Sequence, residues 1–166
     1  MNRTVRNHLF LCLIFFTSLF LESINWQSFL GQLGPSFLLL TFIYWNIAVP
    51  NKIGLSYAIL FGLLLDLLNG NILGVNPLIF VLVSYLSQRF FYQFRVLRLF
   101  QQSIGIFLMS VLVNILLGMI TLNTSDIFLG INSHILSLLL NCFINALLWA
   151  PFFYVSRFYR RRFILT

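Results

Sequence analysis

The chain has 166 residues, of which 60% are hydrophobic and only 8% charged, and its formal net charge is +7. Soluble domains carry about 25% charged residues, so this composition excludes an ordinary water-soluble fold. The positive charge does not point to nucleic acid, because the basic residues fall at the ends of apolar runs, where topology signals belong.

The chain opens with Arg3 and Arg6 before a first apolar helix, His8 to Leu21. This start is like a signal peptide, but no small-x-small cleavage site follows, so the helix is read as uncleaved. A lipoprotein signal is also discounted, since Leu11 rather than a small residue precedes Cys12. Glu22 to Gly34 form a polar connection, with Trp26 a candidate interfacial anchor. Gly34-Pro35 marks the start of a second helix, Ser36 to Val49. Pro50-Asn51-Lys52 is a tight turn into the third helix.

Gly54, Ala58, Gly62, Asp66, Gly70 and Gly74 recur every fourth residue from there. Residues four apart share one helix face. Small residues at that spacing let another backbone approach closely in lipid. A carboxylate at membrane depth costs roughly 2.5–3.5 kcal/mol, so Asp66 is expected to point into protein or a wet cavity. The segment is therefore expected at the centre of a helix bundle. Its functional reading is contact with a ligand, ion or partner. Its plainer reading is a protonated or hydrogen-bonded carboxyl near the end of its helix.

Asn69 to Asn76 form a short break, and Pro77 suits the first turn of a fourth helix ending near Gln88. Arg89 to Gln102 mixes aromatic and basic residues, among them Arg95 and Arg98, and reads as an amphipathic segment at the membrane surface. A fifth helix spans Ser103 to Leu122. Asn123 to Asn132 form a polar loop with Asp126 and a sequon at Asn123. A sixth helix spans Ser133 to Val155, and Arg157, Arg160, Arg161 and Arg162 close the chain. Their plain reading is a topology anchor, and their functional one a grip on anionic lipid or a cytoplasmic partner.

Residues 1–166 thus read as one polytopic domain, a bundle of six transmembrane helices with both termini on the cytoplasmic side. All ten basic residues agree with that topology, while Glu22 and Asp126 fall opposite. Ser133, Ser137, Asn141, Asn145 and Trp149 form a polar row on the sixth helix, and Ser110, Asn114 and Gly118 one on the fifth. Both rows, and Asn46, read as hydrogen-bonding glue between helices in preference to a solute site. Cys12 and Cys142 lie in apolar runs and read as packing residues. No catalytic constellation, metal-ligand spacing or cofactor motif emerges.

Two motifs carry a resemblance. Tyr44-Trp45-Asn46-Ile47-Ala48-Val49-Pro50 resembles the tyrosine-tryptophan-to-proline motif of the MreD family of rod shape-determining proteins. Gly62-x-x-x-Asp66-Leu67-x-x-Gly70-x-x-x-Gly74 resembles that family's third-helix signature. The length and the basic tail also fit, and the resemblance covers most of the chain. It marks Tyr44, Trp45, Pro50, Gly62, Asp66, Gly70 and Gly74 as partner-binding or structural sites. It implies a non-catalytic scaffold in the bacterial inner membrane, without cofactor or metal. The scaffold would serve cell elongation and peptidoglycan synthesis with MreC, MreB, RodA and a class B penicillin-binding transpeptidase. It also implies a fold similar to the substrate-binding membrane subunits of energy-coupling-factor transporters. The alternative function is therefore such a subunit for a vitamin-type solute.

Overall fold

The computed structural model describes residues 3–24, 34–50, 53, 55–70, 72–121 and 131–163. These residues are all-helical, in seven helices. They are α1 (Arg3–Ser23), α2 (Phe37–Ala48), α3 (Leu55–Asn69), α4 (Val75–Arg89), α5 (Phe91–Val96), α6 (Leu99–Thr121) and α7 (Ile131–Phe163). Trp26, Asn51, Lys52, Gly54 and the loop holding Asp126 and the sequon lie outside the described residues.

Glycine and proline set the break between α3 and α4, as their backbone chemistry requires. Gly70 follows α3 at φ +64°, and Gly74 precedes α4 at φ +102°. Pro77 falls in the first turn of α4, where its missing N–H costs nothing. Two boundaries differ from expectation. The Arg89–Gln102 segment is not one surface element: Arg89 ends α4, α5 is a six-residue elbow, and α6 already starts at Leu99. The last helix runs past Val155 to Phe163, carrying Pro151 within it.

The core helix is α2. Nine of its 12 residues are buried, from Leu38 to Asn46. Its Phe42 ring stacks on Phe80 of α4 at 4.8 Å and meets Phe15 of α1 at 4.7 Å. This corrects the expectation that α3 lies at the centre. On α3 only one narrow face is covered, through Ala58, Phe61, Gly62, Leu65 and Asp66. Leu60, Leu63 and Leu67 of α3 are exposed. The physical reason is that small residues need one close neighbour, whereas a helix apolar all round can be enclosed.

Side chains from other helices also secure the start of α2. The backbone N–H groups at a helix N-terminus lack partners within the helix. Ser36 N–H donates to Asn145 Oδ1 of α7 at 2.9 Å, and Leu38 N–H donates to Glu22 Oε2 of α1 at 3.1 Å. Asn141 Nδ2 donates to the carbonyl of Gly34, and Asn145 Nδ2 to Asn141 Oδ1 at 3.2 Å. Lower down, Gln88 Nε2 of α4 donates to Asn46 Oδ1 at 2.9 Å and to the carbonyl of Ile53 at 3.0 Å.

These contacts define two ends. Glu22, the α2 start and the α3–α4 turn share one. The α2 end, the α4 end, α5, the α6 start and the α7 end share the other, with Arg89, Arg95, Arg98 and Arg157–Arg162. Among the described residues two helices are long and apolar enough to cross a membrane, over Leu99–Ile120 and Leu136–Arg162. Phe37–Ala48 and Leu55–Asn69 are shorter apolar helices. At 1.5 Å per residue α2 rises ~18 Å, well under the ~30 Å of a bilayer core.

Candidate functional site

The spacing of four in α3 resolves into one device at the α3–α4 turn. Gly62 is where the two helices cross. A Cβ there would lie 2.6 Å from both Pro77 Cα and Pro77 N. Those are backbone atoms, so no side chain can move aside to admit it. One turn later the fully buried Asp66 carboxylate reaches the start of α4. Its Oδ2 accepts Gly74 N–H at 2.7 Å. Its Oδ1 accepts Asn76 N–H at 3.3 Å and the Asn76 side-chain Nδ2 at 2.6 Å.

This is a helix N-cap supplied from the preceding helix. Orphan N–H groups meet a charged acceptor, and the helix dipole favours a negative charge there. Gly70 and Gly74 supply the left-handed turns that bring the two together, and neither is crowded. Around the device Leu67, Leu68, Ile72 and Leu73 are exposed, each by more than half. The turn therefore offers an apolar cap built on a buried polar brace.

The second motif lies at the other end. Tyr44 and Trp45 are buried in α2, and Pro50 is partly buried in the turn that follows. Tyr44 packs edge-on against Phe153 at 5.7 Å and near Trp149 at 6.4 Å, both on α7. The Tyr44 hydroxyl and the Trp45 Nε1 are buried without a hydrogen-bond partner. The fold therefore does not bring the two motifs together. It does bring Tyr44 to Arg95, Arg157 and Arg160, which line one cavity with it. Arg89, Arg98, Arg161 and Arg162 are exposed and do not line that cavity.

The asparagines of the polar rows are engaged with protein, whereas the Ser110 hydroxyl is buried without a hydrogen-bond partner. Asn141 and Asn145 hold the α2 start, and Asn114 Nδ2 donates to Cys142 Sγ at 3.3 Å across α6 and α7. Glu22 lies beyond the apolar run of α1, and burial pushes its carboxyl up to about 7, against the pull of the Leu38 and Phe37 N–H groups. Among the described residues no three His, Cys, Asp or Glu side chains are placed to hold a metal. Three contributors escaped the reading of the sequence: Asn76, Gln88 and Gln102. Asn76 had one signal, its place directly before Pro77 at a helix start.

Residues 2–160 match the family described as rod shape-determining protein MreD. The chain belongs to the MreD family. It is also 30% identical over 154 residues to the rod shape-determining protein MreD of Haemophilus influenzae, covering 92% of each chain. No solved structure matches the chain. Membership in the MreD family supports a role in determining rod shape, and the family is not a known enzyme family. The MreD relative and the two long apolar helices fit a membrane protein.

Proposed function

We propose that the chain is a non-catalytic scaffold of the cell-elongation machinery in the bacterial inner membrane. It crosses the bilayer six times, through α1, α2, α3, α4, α6 and α7. The short α2, α3 and α4 shelter against longer neighbours, and α5 lies at the surface. The basic end faces the cytoplasm with both termini, following the charge bias. The turn between α3 and α4 then faces the periplasm. Its exposed leucines and Ile72 receive a transmembrane segment or periplasmic stem of MreC. RodA, a class B penicillin-binding transpeptidase and MreB join through that contact, and the basic end adds contact with anionic lipid.

One observation carries this reading: the Asp66 carboxylate accepts three hydrogen bonds from the α4 start, beneath an exposed apolar turn. A carboxylate used in this way shapes a docking surface. The transporter alternative needs polar groups turned toward a solute, yet Asn46, Asn141, Asn145 and Asp66 are all bonded to protein atoms.

The test is replacement of the chromosomal copy in a rod-shaped host. Depletion should give round cells, and the wild-type chain should restore rods. A reporter active only outside the cytoplasm, fused after Thr166, should stay silent. Rods that persist without the chain would refute the role, and an active reporter would refute the topology.

A further inference from the structure

At the basic end, α2, the α5 elbow, α6 and α7 line a partly open cavity of ≈210 Å³. A water molecule occupies about 30 Å³ in the liquid, so the space suits something larger. Its buried walls are Tyr44, 3% exposed, and Trp149, 1% exposed. Gln102 also lines it, but its polar atoms are committed. Gln102 Nε2 donates to the carbonyls of Phe94 at 2.9 Å and Leu97 at 3.1 Å. Gln102 Oε1 accepts Trp149 Nε1–H at 3.3 Å. These bonds pin α5 to the start of α6, where the Phe94 ring lies against Gly105.

Among the residues lining this cavity, one buried polar group is left over. The Tyr44 hydroxyl has no partner, although buried hydroxyls normally have one. Arg95, Arg157 and Arg160 line the same cavity, and no carboxylate is among the described residues that do. Arg157 and Arg160 are three apart on α7 and so share a face. Arg95 and Arg157 are exposed and Arg160 is half-buried, so the three guanidinium groups sit at the mouth of the cavity, where like charges repel and a bound anion relieves them. Guanidinium forks match phosphate oxygens in pairs, and a tyrosine O–H adds one more donor.

We propose that this cavity binds a phosphate group, gripped by Arg95, Arg157 and Arg160, with the Tyr44 hydroxyl donating to it from the buried wall. The phosphate comes from a phospholipid head group or from a soluble phosphate. This site does not depend on which proteins the scaffold gathers.

The test uses the full chain in two arms. In one, protein reconstituted in vesicles of equal phosphatidylglycerol and phosphatidylcholine is released into native mass spectrometry. In the other, lipid-stripped protein in detergent is titrated with inorganic phosphate by calorimetry. The Arg157→Gln, Arg160→Gln pair should weaken binding about tenfold or more, given the usual strength of charge-assisted hydrogen bonds. Tyr44→Phe, which keeps ring and charge, should weaken it several-fold, and it decides alone if the arginine pair does not fold. Arg162→Gln, outside the cavity, should change nothing. Retention of phosphatidylglycerol over phosphatidylcholine assigns the lipid source. Uptake of inorganic phosphate with the same variant pattern assigns the soluble one. Binding in neither arm, or equal weakening by Arg162→Gln, overturns the proposal.

Discussion

Asp66 and Asn76 are joined twice: one carboxylate oxygen accepts both the Asn76 backbone N–H, at 3.3 Å, and its side-chain amide, at 2.6 Å. With Gly74 on the other oxygen, the carboxylate closes the start of α4 from within α3. Removing it leaves three donors without this acceptor. Hydrogen bonds to charged groups contribute about 1.5–3 kcal/mol, and lost caps cost about 0.5–2 kcal/mol. Asp66→Ala should therefore destabilise the chain by about 2–3 kcal/mol, with Asp66→Asn intermediate. Thermal unfolding in mild detergent reads this directly. An unchanged midpoint for Asp66→Ala would remove the brace from the account.

Gly62 and Gly74 should respond differently to the same substitution. Gly62→Ala drives a Cβ against the Pro77 backbone, so the helices must separate. Overpacking of this kind costs about 1–3 kcal/mol, and Gly62→Leu should exceed that and lower protein abundance. Gly74→Ala meets open space but keeps a positive φ. Its cost is torsional, about 1–2 kcal/mol. The two are told apart by disulfide cross-linking of α3 to α4: efficiency should fall for Gly62→Ala and hold for Gly74→Ala.

Much of this device was legible from spacing alone, because glycines and a carboxylate every fourth residue have few uses in an apolar helix. The break between Asn69 and Asn76 was legible for the same reason. What the carboxylate binds was not, since its acceptors face donors across a turn whose path only the fold sets. The choice of core helix was also hidden. In lipid an outward Leu is as comfortable as an inward one, so hydropathy cannot separate α2 from α3. The meeting of Tyr44 with Arg95, Arg157 and Arg160 joins three helices far apart in sequence, and no periodicity encodes it.

Asn46 is the hub between α2 and α4. Its side chain donates to the Phe42 carbonyl at 2.8 Å and lies 3.3 Å from Ser84 Oγ, while Gln88 donates to it. Asn46→Ala leaves the buried Ser84 hydroxyl without this partner and Gln88 with the Ile53 carbonyl alone. The expected loss is about 1–3 kcal/mol, and Asn46→Leu with Gln88→Leu should recover part of it. A double-mutant cycle on unfolding midpoints gives the coupling. Strict additivity would contradict the network.

Glu22 makes stability depend on pH. Its folded-state value, about 7, is raised above the usual 4.5, so the folded chain holds a proton that the unfolded chain has released. The unfolded state then binds fewer protons, and stability falls as pH rises through that window. The wild-type unfolding midpoint should be higher near about pH 5 than near about pH 8, and Glu22→Gln should flatten that difference. An equal slope in the variant would assign the dependence elsewhere.

A scaffold gathers cell-elongation proteins, whereas a transporter subunit carries a solute. Affinity purification of the tagged chain from native membranes in mild detergent, read by mass spectrometry, separates the two most directly. MreC should copurify with RodA and the transpeptidase, and MreC should fall when Leu68 and Leu73 at the exposed turn are changed to Ser. Enrichment of cytoplasmic ATPase subunits with a bound small molecule, and no MreC, would contradict the scaffold role.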